Sequence, residues 1–215
     1  MKSCPLAGTA GFVLAGGRSS RMGRDKALVE FEGRTLVSLA AEKLQRAGLD
    51  VTIAGARSEL AGIAPVIADE TPGEGPLGGI CTALTSTQAE LGVFLPVDLP
   101  LLPASLLSYM VRHAHTTGAG VTLVSVNGFA QTFPAVIRTS LWPLLREELQ
   151  AERRGCFAAF AITAKRMGEQ IRAIPVEMLV QAGQVDDDDA LPAYRWFLNV
   201  NAPDDLKRAG GHRVS

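Results

Sequence analysis

The most constraining feature of the sequence is an alternation of short apolar runs with stretches whose apolar residues follow a helical period. The apolar runs predict five strands, at residues 11–15, 51–54, 64–67, 93–97 and 120–126. The periodic stretches predict helices between strands, at residues 36–47, 77–87 and 104–114. Consecutive parallel strands need a crossover of this kind, so the order predicts a mostly parallel sheet covered by helices on both faces.

The pattern changes after residue 126. A run at 133–137 follows the fifth predicted strand across an Asn127-Gly128 turn, which predicts an antiparallel hairpin. Helices at 141–150 and 156–167 and a strand at 171–176 complete the chain. Because no repeat, low-complexity linker or domain boundary interrupts it, we expect residues 1–215 to form a single three-layer α/β domain with one antiparallel strand.

Composition excludes several classes of protein. A net charge of −1 over 215 residues argues against a broad nucleic-acid-binding face. The three cysteines are far apart, without a CxxC pair that would indicate a zinc site. Pro5, Gly8 and Gly11 break the apolar N-terminus, so it does not read as a secretion signal. We therefore expect a cytoplasmic protein with reduced thiols, no nucleic-acid partner and no membrane attachment.

Three unusual loops follow predicted strands, at residues 16–26, 69–79 and 98–103. In open α/β sheets, ligands bind beyond the carboxyl ends of the strands, where the strand order reverses. With the common order 3-2-1-4, that point lies between the first and fourth strands. The loop after the first strand is then expected to face the loop after the fourth across a crevice.

The first of these loops lies in LAGGRSSRMGRDK, residues 14–26. Residues 18–26 carry four positive side chains and one negative one. Glycines allow backbone N–H groups to turn inward, and Arg18, Arg21 and Lys26 add positive charge. The pattern matches neither a Walker A loop nor GxGxxG. It favours phosphate binding; the alternative is a solvated surface loop.

Asp98 lies in FLPVDLPLLP, at the end of an apolar strand. A carboxylate there is suited to Mg²⁺, which takes one or two protein carboxylates together with substrate phosphate oxygens and water. The alternative role is a cap for the following helix, for which Ser105 is the closer candidate. A lone carboxylate at Asp98 would repel a triphosphate. A metal ion bound to Asp98 makes the local charge positive, so the two loops are consistent with one triphosphate site.

Two further segments carry candidate residues. In DETPGEGPLGGI, residues 69–80, the glycines permit close backbone approach to a ligand, although glycines also serve tight turns. In FLNVNAPDDL, Asn199 and Asn201 are predicted to point the same way on an extended segment. One of them would reach the metal or a second substrate, or Asn201 would cap a helix beginning at Pro203. Arg153 is expected to form a helix-end charge pair.

These motifs resemble, in order, those of the molybdenum cofactor guanylyltransferases, the MobA family. The segments that carry the resemblance are LAGGRSSRMGRDK, GPLGGI, PVDLPLLP, FPAVI and FLNVNAPDDL. It is firm over residues 10–110 and 196–206 and looser over 140–195. It implies a Rossmann-like fold of the GT-A type. It also implies transfer of GMP from GTP to the terminal phosphate of molybdopterin, with release of pyrophosphate.

The resemblance implies roles for individual residues. Lys26, Asp98 and Arg21 are the expected catalytic residues, with Asp98 as the Mg²⁺ ligand. Asn199 and Asn201 are expected to contact the acceptor. The expected nucleotide-binding residues are Leu14, Ala15, Gly16, Gly17, Arg18, Lys26, Asp69, Gly78 and Asp98. Residues 1–126 would form the nucleotide-binding half and 127–215 the acceptor-binding half, and molybdoenzymes or cofactor-delivery proteins would be further partners.

The sequence departs from the family pattern at two informative positions. Ala54 stands where the family often has a nucleotide-binding Asn, and Phe133 stands where it often has His. Related cytidylyltransferases usually read LAAG where this chain reads LAGG, and a methyl group at Gly16 would crowd a bound base, which favours guanine. The alternatives left open are CTP, another phosphorylated acceptor, or a non-catalytic nucleotide-binding protein.

Overall fold

A seven-stranded sheet runs through the computed structural model, which describes residues 6–16, 25–55, 58–68, 73–153, 155–186, 191–201, 205–206 and 209. Its strands, in chain order, are β1 (Thr9–Leu14), β4 (Asp50–Ala54), β5 (Val66–Ile67), β6 (Leu91–Pro96), β7 (Val121–Val126), β8 (Phe129–Arg138) and β9 (Ile171–Pro175). A separate ribbon pairs β2 (Glu30–Phe31) with β3 (Arg34–Thr35). Among the described residues, none of the helices has the length and apolar character that crossing a bilayer requires.

The order of the strands is β5-β4-β1-β6-β8-β7-β9. The first four of these are mutually parallel, so the predicted order 3-2-1-4 is confirmed. Strand β8 runs antiparallel to both of its neighbours, β6 and β7, and is the predicted antiparallel strand. Asn127 and Gly128 both have positive φ, at 51° and 79°, as a two-residue hairpin turn requires.

Helices cover both faces of the sheet and bury a hydrophobic cluster on each. Helices α1 (Leu36–Arg46), α3 (Ala104–Thr117) and α6 (Val176–Gln181) lie on one face. Helices α2 (Gly75–Thr85), α4 (Trp142–Gln150) and α5 (Cys156–Arg166) lie on the other. The two aromatic rings of Phe12 and Phe94 stack 5.3 Å apart and join β1 to β6 under this second layer. The three-layer α/β prediction is therefore confirmed.

Local capping explains where several helices begin and end. Thr35 Oγ1 accepts a hydrogen bond from Ser38 N at 3.3 Å, as predicted for the start of α1. Ser105 was the wrong candidate for the cap of α3. Helix α3 begins at Ala104 with Pro103 in the cap position, and the Ser105 hydroxyl instead donates to the carbonyl of Asp186. The short helix α6 and the β2–β3 ribbon were not predicted.

A buried ion pair fastens the end of α4 to the segment that leads into α5. The Glu148 side chain is 1% exposed and accepts two hydrogen bonds from Arg153, at 2.5 and 3.0 Å. Arg166 of α5 lies 3.7 Å from the same carboxylate. This network confirms the helix-end charge pair expected at Arg153. The hydrogen bonds from Arg153 hold the pKa of Glu148 below its ordinary value, although burial opposes them.

We expect Glu148→Gln to lower the thermal midpoint at pH 7 by roughly 2–6 °C, because the substitution removes the charge that Arg153 and Arg166 pair with. A carboxyl whose pKa is lowered in the folded state adds stability above its unfolded pKa and loses it as pH falls through the folded value. The difference in thermal midpoint between the variant and the wild type should therefore become smaller as pH falls below about 4.5. Thermal unfolding followed by circular dichroism between pH 3 and 8 measures both effects.

Glu147→Gln is the matched control, since Glu147 is 53% exposed and pairs with the half-exposed end of Arg166. Surface pairs of this kind contribute little, so its midpoint should stay within about 1–2 °C of the wild type. Equal decreases in thermal midpoint in the two variants would contradict the role assigned to the Glu148 ion pair. A decrease in Glu148→Gln that does not change with pH would contradict it as well.

Candidate active site

The carboxyl edge of the sheet brings together the loops that follow β1 and β6. Leu14 lies opposite Pro96 in the parallel register, so both strands end at the same level. Beyond them, Lys26 Nζ donates a hydrogen bond to Asp98 Oδ2 at 3.1 Å. The side chains are 19% and 24% exposed, respectively. The loops that follow the first and fourth predicted strands are therefore joined by an ion pair.

A short 3-10 turn, Lys26–Leu28, holds Lys26 in place. Asp25 caps this turn, and its Oδ1 accepts a hydrogen bond from Ala27 N at 2.9 Å. Ala27 is buried in the hydrophobic cluster beneath, which anchors the turn from the other side. Sequence reasoning counted Asp25 only as a charge, although an Asp directly before a turn is a typical cap.

Asp98 follows the end of β6 by two residues, and its two carboxylate oxygens have different surroundings. Oδ2 faces Lys26. Oδ1 is buried and has no hydrogen-bond partner among the described residues. The Asp98 backbone carbonyl accepts a hydrogen bond from Val200 N at 3.0 Å. A carboxylate with one orphaned oxygen is unusual in a folded protein and points to a ligand.

The C-terminal segment supplies a third member of this group. Asn201 Oδ1 accepts a hydrogen bond from Lys26 Nζ at 2.6 Å, and Asn201 N donates to Asp205 Oδ2 at 2.9 Å. Asn199 lies two residues earlier and is exposed. The structure therefore brings Asn201, Lys26 and Asp98 together. The side-chain amide of Asn201 contacts the lysine, and the backbone beside it is fastened to Asp98.

The end of β1 presents backbone to the crevice. The side chains of Leu14 and Ala15 are buried in the two opposite clusters, and Ala15 N donates to the carbonyl of Ala54 at 3.0 Å. Gly16, the next residue, is exposed. Ala54 is also buried, so this position directs no polar side chain toward the edge.

Gly55 supports Gly16 from the neighbouring strand and was not singled out from the sequence. Its φ is 150°, and a Cβ built there would lie 3.3 Å from Gly16 N and 3.4 Å from the carbonyl carbon of Ala15. The backbones of the two loops can approach this closely only without a side chain at Gly55. A glycine directly after a strand, at its carboxyl end, was the available signal.

Gly78 lies on α2 beside Glu74. A Cβ at Gly78 would lie 2.9 Å from Glu74 Cβ, so the missing side chain makes room for Glu74 at the start of α2. Beside it, a cleft of about 270 Å³ opens between α2 and α4, lined by Glu74, Gly78, Cys81, Thr82, Arg146, Leu149 and Gln150. Four predicted residues, Gly17, Arg18, Arg21 and Asp69, lie outside the described residues.

Comparison with known proteins identifies the family. The family model of the MobA-like NTP transferase domain matches residues 11–170. The chain belongs to the MobA-like NTP transferase family. The resemblance found in the motifs is thus confirmed, and with it the nucleotidyltransferase class of the enzyme.

Relatives and solved structures extend along the chain. A molybdenum cofactor guanylyltransferase of Cereibacter sphaeroides is 34% identical over 207 residues, which cover 93% of this chain and 94% of that one. One of Xanthomonas euvesicatoria is 47% identical over 103 residues, about half of each chain. The crystal structure of molybdopterin-guanine dinucleotide biosynthesis protein A from Archaeoglobus fulgidus matches with a TM-score of 0.73 at 23% identity, covering 93% of this chain and 96% of that one, and shares its fold.

The residues at the carboxyl edge of the sheet fit a divalent cation. A hard cation such as Mg²⁺ takes oxygen ligands and often binds through only one or two carboxylates, with substrate phosphates and water completing its shell. Asp98 offers one carboxylate with an orphaned oxygen at the carboxyl edge. No cluster of three or more metal-ligating side chains occurs among the described residues, so the fit is to an ion that nucleotide and protein hold jointly.

We expect Gly55→Ala to weaken the binding of nucleoside triphosphate by roughly ten- to hundredfold, because a methyl group there would push the Ala15–Gly16 backbone out of place. Isothermal titration with Mg²⁺-nucleotide measures the change. Gly62→Ala is the matched control, since a Cβ at Gly62 has open space around it. Equal affinities in Gly55→Ala and wild type would contradict the support assigned to Gly55.

Proposed function

We propose that this MobA-like enzyme transfers GMP from GTP to the terminal phosphate of molybdopterin and releases pyrophosphate, with Mg²⁺ as its cofactor. The observation that carries the proposal is the meeting of Lys26 and Asp98 at the switch point of the sheet, 3.1 Å apart. This contact supports a site in which Lys26 would bind phosphate and Asp98 would hold the metal. Relatives that match over nearly their full length are named molybdenum cofactor guanylyltransferase, which supports the choice of nucleotide and acceptor.

The nucleotide would lie over the ends of β1 and β4. Gly16 and Gly17 would offer backbone N–H groups, with the buried residues Leu14 and Ala15 fixing the strand beneath them. Arg18, Arg21 and Lys26 would contact the phosphates, and Asp69 the guanosine. Gly78 would contribute through the start of α2. Exposed Gly16 leaves room for a purine where the related cytidylyltransferases carry a methyl group.

The reaction needs positioning and charge neutralisation more than a protein base. An oxygen of the acceptor phosphate, already ionised, attacks the α-phosphorus in line. The new bond joins that oxygen to the α-phosphorus, while the bond from the α-phosphorus to the β-bridging oxygen breaks and its electron pair leaves with pyrophosphate. Lys26 and Arg21 would neutralise the charge that develops on the leaving group. Mg²⁺ held by Asp98 would supply further positive charge to the phosphate oxygens.

The second half of the chain would hold the acceptor. In this proposal, residues 1–126 bind the nucleotide and 127–215 bind molybdopterin, with Asn199 and Asn201 on the segment that closes against Asp98. The exposed amide of Asn199 is placed to contact a substrate directly. Molybdoenzymes or cofactor-delivery proteins would then receive the product.

We expect Asp98→Asn to lower the rate of guanylyl transfer by about 10²–10³-fold, because the neutral amide no longer attracts the divalent ion. Pyrophosphate release with molybdopterin and each of the four nucleoside triphosphates measures both activity and base choice, and GTP should be preferred at least about tenfold over CTP. Mass spectrometry of the product identifies the transferred group.

Asp50→Asn is the matched control, since Asp50 is exposed at the opposite end of β4 and should leave the rate unchanged within about twofold. Activity of Asp98→Asn within tenfold of the wild type would remove Asp98 from the metal role. Preference for CTP, or nucleotide binding without pyrophosphate release, would replace the proposed reaction by cytidylyl transfer or by nucleotide binding alone.

A further inference from the structure

The Asp98 side chain is 24% exposed, and one of its oxygens already has a cationic partner. Oδ1 is buried, and Oδ2 accepts a hydrogen bond from the Lys26 ammonium at 3.1 Å. A divalent ion that binds Asp98 directly must reach one of these oxygens. It would meet the lysine there, and two cations that share one carboxylate at contact distance repel each other strongly.

We propose that Lys26 is an exchangeable counter-ion of Asp98: its ammonium occupies the carboxylate until metal and nucleotide arrive, and then moves to the triphosphate. This inference rests on the proposed function, in which Asp98 takes a divalent ion. It adds that Lys26 competes with free divalent ions for the Asp98 carboxylate. The charge of the Asp98 carboxylate is then compensated in both states, because the metal enters as the lysine leaves.

Asn201 sets how firmly the lysine is held. A lysine ammonium has three donors, and two of them are used by Asp98 Oδ2 and by Asn201 Oδ1 at 2.6 Å. Asn201 is in turn fixed by the hydrogen bond from its backbone N–H to Asp205. Asn201 is therefore a positioning residue for Lys26.

The backbone beside Asn201 has a separate anchor. Val200 N donates to the Asp98 carbonyl, and Val200 is buried, so this contact does not depend on where the lysine points. Removing the Asn201 amide is therefore expected to release Lys26 without detaching the segment. This separation makes Asn201→Ala a milder test than the loss of the lysine itself.

The test measures binding of Mn²⁺, as a paramagnetic substitute for Mg²⁺, to nucleotide-free protein by electron paramagnetic resonance. Lys26→Met, which keeps the apolar stem and removes the charge, should bind Mn²⁺ at least about tenfold more tightly than the wild type. Asn201→Ala should bind it about two- to fivefold more tightly. The same Lys26→Met variant should lose guanylyl transfer, so metal affinity and activity move in opposite directions.

Two control variants separate exchange at Asp98 from general effects. Lys165→Met removes an exposed lysine on α5 and should leave Mn²⁺ affinity unchanged, although it changes the net charge equally. The double variant Lys26→Met with Asp98→Asn should not show the increase in Mn²⁺ affinity expected for Lys26→Met alone. Thermal unfolding of each variant confirms that the fold is retained, and Asn201→Ala keeps the proposal testable where Lys26→Met does not fold.

Mn²⁺ affinity of Lys26→Met and Asn201→Ala at or below that of the wild type would overturn the exchange, as would an equal gain in Lys165→Met or a gain that persists without Asp98. Guanylyl transfer by the wild type is measured on the same preparation and tests the proposed function by itself. Guanylyl transfer by the wild type, together with unchanged Mn²⁺ affinity in the variants, overturns only the exchange. The expected affinity changes without transfer support the exchange and overturn the proposed reaction.

Discussion

The contact between Lys26 and Asp98 is the interaction on which the rest of the site depends. It joins side chains 72 residues apart in the sequence, so it exists only because β1 and β6 are parallel neighbours that end at the same level. Stacked rings of Phe12 and Phe94 fix these two strands to each other.

Charge explains why such a contact sits where a polyanion is expected. A carboxylate alone at this edge would repel phosphate, and a lysine alone would attract any anion. Paired, they compensate each other's charge, and a divalent ion on the carboxylate would add positive charge that attracts phosphate. The binding of metal and of nucleotide is then linked, since each makes the other more favourable.

The sequence predicted the scaffold better than the contacts within it. Apolar runs and their spacing predicted the strands and helices, and Asn127-Gly128 predicted the hairpin, because burial and turn geometry act locally. The order 3-2-1-4 is the common one for such folds, and it predicted that the loop containing Lys26 faces Asp98 but not that the two side chains pair directly. The amide of Asn201 on Lys26 spans 175 residues, and the approach of Gly55 to Gly16 joins two strands, so neither leaves a local pattern. The cap of α3 was mistaken because Pro103, with no side-chain donor or acceptor, occupies the position that favours Ser.

The choice of lysine over arginine fits a cation that has to leave. An arginine can bind a carboxylate through two parallel hydrogen bonds and would hold Asp98 in a rigid fork, whereas lysine is a compact charge on a flexible stem. The stem of Lys26 is packed to 19% exposure and its backbone is fixed by the Asp25-capped turn, so only the ammonium end is free to change partners. A short movement of that end, from carboxylate to phosphate, would free the Asp98 carboxylate oxygen for the divalent ion. The fixed turn therefore keeps the ammonium of Lys26 within reach of both the Asp98 carboxylate and the phosphate.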